Sequence, residues 1–540
     1  MGKKVEIMRR IVVFFALALF LSVTSAAQSP TNYRPNNINV RLDSTNLPIV
    51  WIDVDGVMIE RNNRITASMK IIHNGDGVIN YADTVAHPGQ TVNYRGYIGL
   101  KYRGNTSFTR SAKKPYSFRP LDKPLEDGGE KVKVNILGMG KDNNWALLAP
   151  YSDKSMMRDL LAFEVSRPWM EYTPEGRYCE LFLDGIYYGV YILTEVVSKG
   201  KTRLNLLDPG DANDELTGGY LVEVDRYSSI GFGSRYHPVS STGEKYNDRN
   251  IRFAYKIPDY EDMTESQIAY IKAAVNRMED AIASDDYCNP ETGYRKYLDV
   301  MNFIDYQIAM EMGHSIDGYR LSGKLFKRRD SEDPRFKMVL WDMNTGYGNT
   351  NSCECWRTDT WLYHNNDLLY AAGAAQLVPF WWYKLNNDPD YTAALKNRWA
   401  QYRTSNLRED CIMATVDSLA SVVTICGAED RNSKAWPTWG NYVWPNYYIA
   451  ENYADEIAWL KNWIHERIEW MDEQLGFKTH TLRGDVDGDG CLSISDITSL
   501  IDYLLQGVNV DTDAADCDMD GIIDINDVCA LIDYLIRHTW

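Results

Sequence analysis

His314-Ser315-Ile316-Asp317-Gly318-Tyr319-Arg320 closes a helical stretch, and Trp341-Asp342-Met343-Asn344-Thr345-Gly346-Tyr347-Gly348-Asn349 follows a second hydrophobic run. Between them lie two β-rich segments, Leu325-Phe326-Lys327 and Phe336-Lys337-Met338-Val339-Leu340. Two such runs in succession read as a hairpin, and a hairpin on this scale brings Asp317 and Asp342 together although 25 residues separate them. Asp342 stands just past a hydrophobic strand and before a Gly-rich loop, where an acid can hold a divalent cation against phosphates. Phosphoryl transfer divides its labour in this way, one Asp orienting a hydroxyl and another holding the metal. The plainer reading of the same residues is a helix C-terminus and a loop Asp.

Working outward from this stretch, the amino half reads as strands and the carboxy half as helices. Leu47 to Asp53, Ile65 to Ile72, the two runs around the Asp184-Gly185 turn within Tyr178–Thr194, and Gly218 to Asp225 are β-rich and bounded by turns. Glu265–Ser284, Leu298–Met312 and Tyr448–Leu475 carry apolar residues at helical spacing. Strands first and helices later imply an α+β body.

Further candidate residues flank the hairpin. Lys101-Tyr102-Arg103-Gly104-Asn105-Thr106-Ser107 and Lys113-Lys114-Pro115-Tyr116 place Gly and cations where an anion could sit; solvated surface lysines are the alternative. Asp153 precedes a short helical segment running through Arg158 and fits a helix cap. Glu195 ends a hairpin strand, and Glu223 and Asp225, two apart, share one face of the next. Two aromatic clusters, Phe380 to Tyr383 and Trp436 to Trp444, are either core or carbohydrate-stacking surface.

Arg103-Gly104-Asn105, Lys113-Lys114-Pro115-Tyr116, Trp145, Asp153-Lys154-Ser155, Arg158, Asp184-Gly185, Tyr188-Gly189-Val190-Tyr191, Glu195, Trp341-Asp342 and Gly346 occur in an order that resembles the spore coat protein H (CotH) kinase family over about residues 47–475. The resemblance implies an atypical, reduced protein-kinase-like body that uses ATP and Mg²⁺ or Mn²⁺ to phosphorylate Ser/Thr of a protein substrate. It implies Asp317 as the catalytic acid and Asp342 as the metal ligand. Ser322 stands five residues after Asp317, where kinases place a metal-binding Asn, and Asn344 stands where the family commonly shows a second Asp; both departures soften the ligand set. Lys114, with Lys113 as alternate, is implied as the phosphate-contacting lysine beside Arg103, with Glu195 or Glu223 as its partner.

The carboxy-terminal stretch is of another kind. Residues 483–540 hold 13 Asp, no Glu and two Arg, a net −11 out of −18 for the whole chain. Asp485, Asp487, Asp489, Cys491, Ser493 and Asp496 form one twelve-residue calcium loop, and Asp516, Asp518, Asp520, Ile522, Asp524 and Asp527 form another. Acids stand at positions 1, 3, 5 and 12, an oxygen side chain at 9, and the carbonyls of Cys491 and Ile522 serve position 7. Each loop is followed by one amphipathic helix, and none precedes the first. This loop–helix duplicate resembles a type I dockerin, which implies two Ca²⁺ ions, calcium-dependent folding and docking on a cohesin module. At positions 10 and 11, Ile494-Ser495 and Ile525-Asn526 depart from the usual Ser-Thr pair.

The remaining features set the context. Lys3, Lys4, Arg9 and Arg10, then the apolar run Ile11–Val23 and Ser25-Ala26-Ala27, read as a signal peptide over 1–27. A linker over 28–46, a kinase-like domain over 47–475, a linker over 476–482 and a dockerin over 483–540 follow. No later stretch is apolar enough to span a membrane, so the processed chain is expected to be secreted or held at the cell surface. The negative charge excludes sequence-independent nucleic-acid binding. Nine cysteines read mostly as buried thiols, with room for one or two disulfides. Beside a tethered kinase, the sequence admits a non-catalytic member of a cellulosome-like polysaccharide-degrading complex, with polysaccharide as partner, and a glycosidase using paired carboxylates.

Overall fold

Alternating side chains build the first half. A computed structural model describes residues 32–226, 229–478, 483–488 and 492–537. The expected signal segment, residues 28–31 of the amino-terminal linker and linker residues 479–482 lie outside them. The chain divides into two compact units between Trp470 and Met471.

In the first unit seven strands close into a barrel: β1 (Ile49–Asp53), β2 (Ile65–Ile72), β3 (Val92–Tyr102), β4 (Tyr116–Leu121), β5 (Trp145–Leu148), β6 (Gly176–Leu183) and β7 (Ile186–Glu195). Their order is β6-β7-β5-β4-β3-β2-β1, and the one parallel pairing, β6 with β1, completes the ring. Ala67, Met69 and Ile71 point inward from β2 while Ser68 and Lys70 point out, the period-two pattern of a half-buried strand. Ile98, Leu100, Phe118, Trp145, Leu181 and Tyr191 fill the interior. The strand content was expected; the closure was not, because it rests on pairing between β1 and β6, more than a hundred residues apart.

A second, five-stranded sheet comprises β8 (Tyr220–Val224), β9 (Gly231–Gly233), β10 (Arg252–Ile257), β11 (Gly323–Lys327) and β12 (Phe336–Val339), in the order β9-β10-β8-β11-β12. β11 and β12 are the expected hairpin. Around the two sheets pack α1 (Thr106–Arg110), α2 (Arg158–Ser166), α3 (Glu265–Ala283), α4 (Val300–Gly313) and α5 (Phe380–Asn386), followed by α6 (Pro389–Arg403), α7 (Glu409–Thr424), α8 (Ala428–Ala435) and α9 (Tyr453–Leu475). α4 is buried on all sides from Asn302 to Gly313 and packs on β12 and α6, which explains its nearly continuous apolar run. Two fully buried ion pairs tie α9 to the rest: Arg467 to Glu311 at 3.1 Å, and Glu456 to Arg158 at 2.8 Å. Removing one partner from such a pair strands a buried charge and costs about 3–5 kcal/mol.

The second unit holds α10 (Ile494–Gln506), α11 (Thr512–Ala515) and α12 (Ile525–Arg537) around a small core of Val486, Leu500, Ala515, Cys517, Val528 and Leu531. Eight cysteines lie in the described residues and each is a free thiol, so the disulfides for which the sequence left room are not formed among them. No single described helix is long and apolar enough to cross a membrane.

Candidate functional site

One large cleft, about 1060 Å³, opens in the first unit, and the two acids singled out from sequence both line it. Two residues of its floor, Ser322 and Asp342, and two buried residues of the preceding turn, His314 and Tyr319, adopt left-handed backbone conformations at φ 55°, 68°, 47° and 63°. For side chains with a Cβ this costs roughly 1–2 kcal/mol each, and such strain gathers where surrounding contacts over-determine a functional geometry. His314 caps α4, and the turn that follows carries Asp317. Its Oδ1 accepts from Arg320 Nη2 at 2.7 Å. Asp342 follows β12. Its Oδ2 accepts from Ser322 Oγ at 3.0 Å and its Oδ1 from Asn344 Nδ2 at 3.4 Å. Burial pushes the Asp342 carboxyl up and the nearby Asp317 adds to this, while the Ser322 hydrogen bond and the charges of Arg103 and Lys324 oppose it.

Asp159 joins this group, although nothing in the sequence singled it out. It sits in the first turn of α2, buried, and its Oδ1 accepts from Met343 N at 2.7 Å, fixing the backbone just past Asp342. Burial and the neighbouring Asp342 raise its pKa to about 7, against the opposing Met343 hydrogen bond. Its signal in the sequence was only adjacency to Arg158. Arg158 itself is locked in the wall: Asp153 accepts both its backbone N–H at 2.9 Å and its guanidinium at 2.7 Å. The helix begins only at Arg158, with Met157 at its N-cap and no side-chain cap, so Asp153 is not the helix cap its position suggested; from five residues upstream it is a hydrogen-bond and ion-pair partner of Arg158.

The lysine assignment needs correction. Lys113 lies inside the fold, its Nζ donating to the Val190 carbonyl and, at 2.8 Å, to Asn432 Oδ1; burial drives its pKa well down. Lys114 donates to the carbonyls of Phe108 and Ser111, both at 2.6 Å, beneath the rings of Tyr33 and Phe108. Neither lines the cleft: Lys113 points at the barrel backbone of β7, and Lys114 at the carbonyls of α1 and the residue after it. Glu195 is also elsewhere, paired with the buried Arg203 at 3.2 Å and with Tyr172. Glu223 does line the cleft, but its partners are Lys324, directly across the β8–β11 register, and Lys256 at 2.6 Å. Burial opposes the Glu223 charge and the two lysines outweigh it, so its pKa falls. Lys256 also reaches Asp225 at 3.4 Å, so the shared strand face of Glu223 and Asp225 is as expected. Lys324 was legible in principle, being two residues past Ser322 in an alternating strand.

Arg103 is where it was expected. Its guanidinium lies 5.4 Å from the Trp341 ring in the cleft wall, and its buried Nη1 has no hydrogen-bond partner. Of the aromatic clusters, Trp381 and Trp382 are wholly buried, whereas Tyr442, Trp444 and Tyr447 are exposed, with Trp444 at the cleft mouth.

In the second unit the acids gather in two clusters. Asp485, Asp487 and Asp496 bring carboxylate oxygens within 4.8 Å of one another, and so do Asp516, Asp518 and Asp527. The position-12 acids do the same work twice. Asp496 accepts from Asp487 N and Ser493 N, and Asp527 from Asp518 N and Asp524 N, at 2.7–3.2 Å. Gly521 takes φ 82° at position 6 of the second loop, the sharp turn for which Gly is required. Ser493 and Asp524, at position 9, accept from the helix N–H groups of Ser495 and Asn526, and Asp520 from Ile522 N. Asp489 and Cys491 lie outside the described residues. Clustered carboxylates alone with a hard-oxygen donor set fit Ca²⁺.

Two comparisons bear on these sites. A family model described as CotH kinase protein matches residues 100–471, well over half of the chain. One described as dockerin type I domain matches residues 483–536. No curated protein matches the chain.

Proposed function

The chain belongs to the CotH kinase family, and from that premise we propose that it transfers the γ-phosphate of ATP to a Ser or Thr hydroxyl of a protein acceptor. The observation that carries the proposal is the meeting of Asp317 and Asp342 in one cleft. Supporting it, the orphaned Arg103 Nη1 fits a phosphate oxygen, since a buried donor without an acceptor is costly until a ligand supplies one. Asp317, with Oδ1 held by Arg320, orients the acceptor hydroxyl and accepts its proton at Oδ2. Asp342, with Ser322 and Asn344 beside it, would hold Mg²⁺ or Mn²⁺, which when bound neutralises charge on the transferring phosphoryl group. Lys324, pinned by Glu223, takes the part first given to Lys114. In this reading the body is a reduced protein kinase whose one cleft takes both nucleotide and acceptor. The proposed domains are 47–475 for the kinase and 483–540 for the dockerin. The protein is exported, and its dockerin docks it, calcium-bound, on a cohesin module of a scaffold.

A specific observation favours a second reading. Both Asp342 oxygens are already engaged by neutral donors, and an exposed row of Tyr442, Trp444 and Tyr447 lies close by, Tyr447 stacked on Trp356 at 4.8 Å. A protein that only binds, for instance to polysaccharide, would need no more. Calorimetric titration of ATP with and without Mg²⁺ or Mn²⁺ separates the two. Metal-dependent binding that drops at least tenfold in Asp342→Ala is expected of the kinase, and no nucleotide binding under either metal would leave the binding protein.

A further inference from the structure

The cleft is divided by charge. Its floor carries Asp159, Glu223, Asp225, Asp317 and Asp342 together with the cations that pair with them. The wall built around α1 carries Arg61, Lys101, Arg103, Arg110 and Arg226. Among the described residues none of these five has a carboxylate within ion-pair distance. Three of them are held instead by neutral groups. Arg61 donates to the Gly104 carbonyl and to Asn105 Oδ1 at 3.1 and 2.8 Å, Arg226 donates to Thr106 Oγ1 at 3.1 Å, and Arg110 lies 5.7 Å from the Trp444 ring. Just outside the cleft, Arg64 donates only to Gly99 and Ser117, and burial with the charges of Arg119 and Arg103 lowers its pKa to about 10. In a chain of net charge −18, a group of cations without an ion-pair partner among the described residues suits an anion.

Arg103 stands close enough to Asp342 and Asp159 to feel their charges and belongs with the acid pair. Arg61 and Arg110 are exposed at the rim, beyond it. Resting on the kinase reading, we infer that Arg61, Arg110 and Arg226 dock the acceptor, and that the acceptor is a Ser/Thr segment flanked by acidic residues. Acidic side chains beside the hydroxyl at Asp317 would meet the α1 wall, whereas basic ones would meet unpaired like charge. A peptide is favoured over a nucleic acid because a polyanion longer than the cleft would run onto a protein surface of overall negative charge.

The test uses the full-length chain and three labelled peptides with one central Ser, flanked by Asp/Glu, by Ala/Gly or by Lys. Anisotropy titrations without nucleotide should show the acidic peptide binding at least tenfold tighter than the neutral one, weakening with salt. Arg61→Glu with Arg110→Glu should remove that preference while nucleotide affinity stays within twofold, and Arg61→Gln with Arg110→Gln should give an intermediate loss. Both side chains are exposed, so an unchanged melting temperature is expected to accompany the loss. Equal or tighter binding of the Lys peptide, an unaltered preference in the Glu variant, or displacement by a single-stranded oligonucleotide at lower concentration than by the acidic peptide would each overturn the inference. Acidic preference in a protein that binds no nucleotide would sustain the docking surface and sink the kinase reading.

Discussion

The cleft and the calcium loops both gather carboxylates, and they do so by opposite means. In each loop the acids come from twelve consecutive residues, and three of them meet within 4.8 Å. In the cleft Asp159, Asp317 and Asp342 come from a helix start, a turn and a strand end spread over more than 180 residues, and Arg320, Lys324 and Arg103 stand among them. On the proposed reading the loops depend on a metal to make their charge tolerable. The cleft has its charge partly compensated before any ligand enters. On the proposed reading one site is coupled to folding and the other to chemistry, and that contrast can be tested.

The largest effect should be on the loops. Unneutralised carboxylates a few ångströms apart repel by on the order of 1 kcal/mol or more per pair, and a unit this small has little core to absorb the cost. Adding chelator to the intact protein should therefore melt α10 and α12, thirteen residues each, with a matching loss of helical circular dichroism restored by Ca²⁺. The unfolding transition of the first unit should persist. An unchanged spectrum in chelator would erase the contrast.

Next comes the chemistry. Asp317→Asn should spare nucleotide binding and lower phosphotransfer by about 10²–10⁴-fold, the range for a lost general base, measured by phosphate incorporation into an acidic peptide. Wild-type turnover would remove Asp317 from its role.

The smallest effect sharpens the comparison. Asp159 is uncharged more readily in the fold, with a pKa of about 7 against 3.8. Its ionisation thus opposes folding increasingly as pH rises from about 4 to 7, and fully above that. Asp159→Asn keeps an acceptor for Met343 N and removes the charge. It should stabilise the protein above pH 7, by at most about 4 kcal/mol for a pKa raised by roughly three, and leave stability at pH 4 unchanged. Glu279, also raised to about 7 by burial, titrates in the same window, so the difference between variant and wild type is the quantity to follow in denaturant melts. A pH-independent difference would place no ionised Asp159 in the fold.

How much was legible follows from the same contrast. The calcium loops could be read directly, since contact there depends on spacing within a dozen residues. Asp317 and Asp342 were legible because a hairpin is local. Lys113, Lys114 and Glu195 were misassigned because a strand's facing depends on its neighbours in the barrel, and that register is set by pairing across long separations. Lys324 and Asp159 were missed for the same reason: their cleft positions depend on β8 lying beside β11 and on α2 abutting the loop after β12.

By itself, then, the sequence determined where strands give way to helices, where the acidic carboxy-terminal stretch begins, which residues form the two calcium loops, and which two acids a hairpin would unite. Periodicity, turn chemistry and short-range spacing suffice for these. Only the tertiary structure decided that the amino half closes into a barrel, which lysines face the cleft, and that one wall carries cations outside ion-pair distance of any described carboxylate while the floor carries the acids with the cations paired to them. These depend on strand register and on buried ion pairs such as Arg158–Glu456 and Arg467–Glu311, whose partners lie far apart in the chain and are brought together only when the whole core packs.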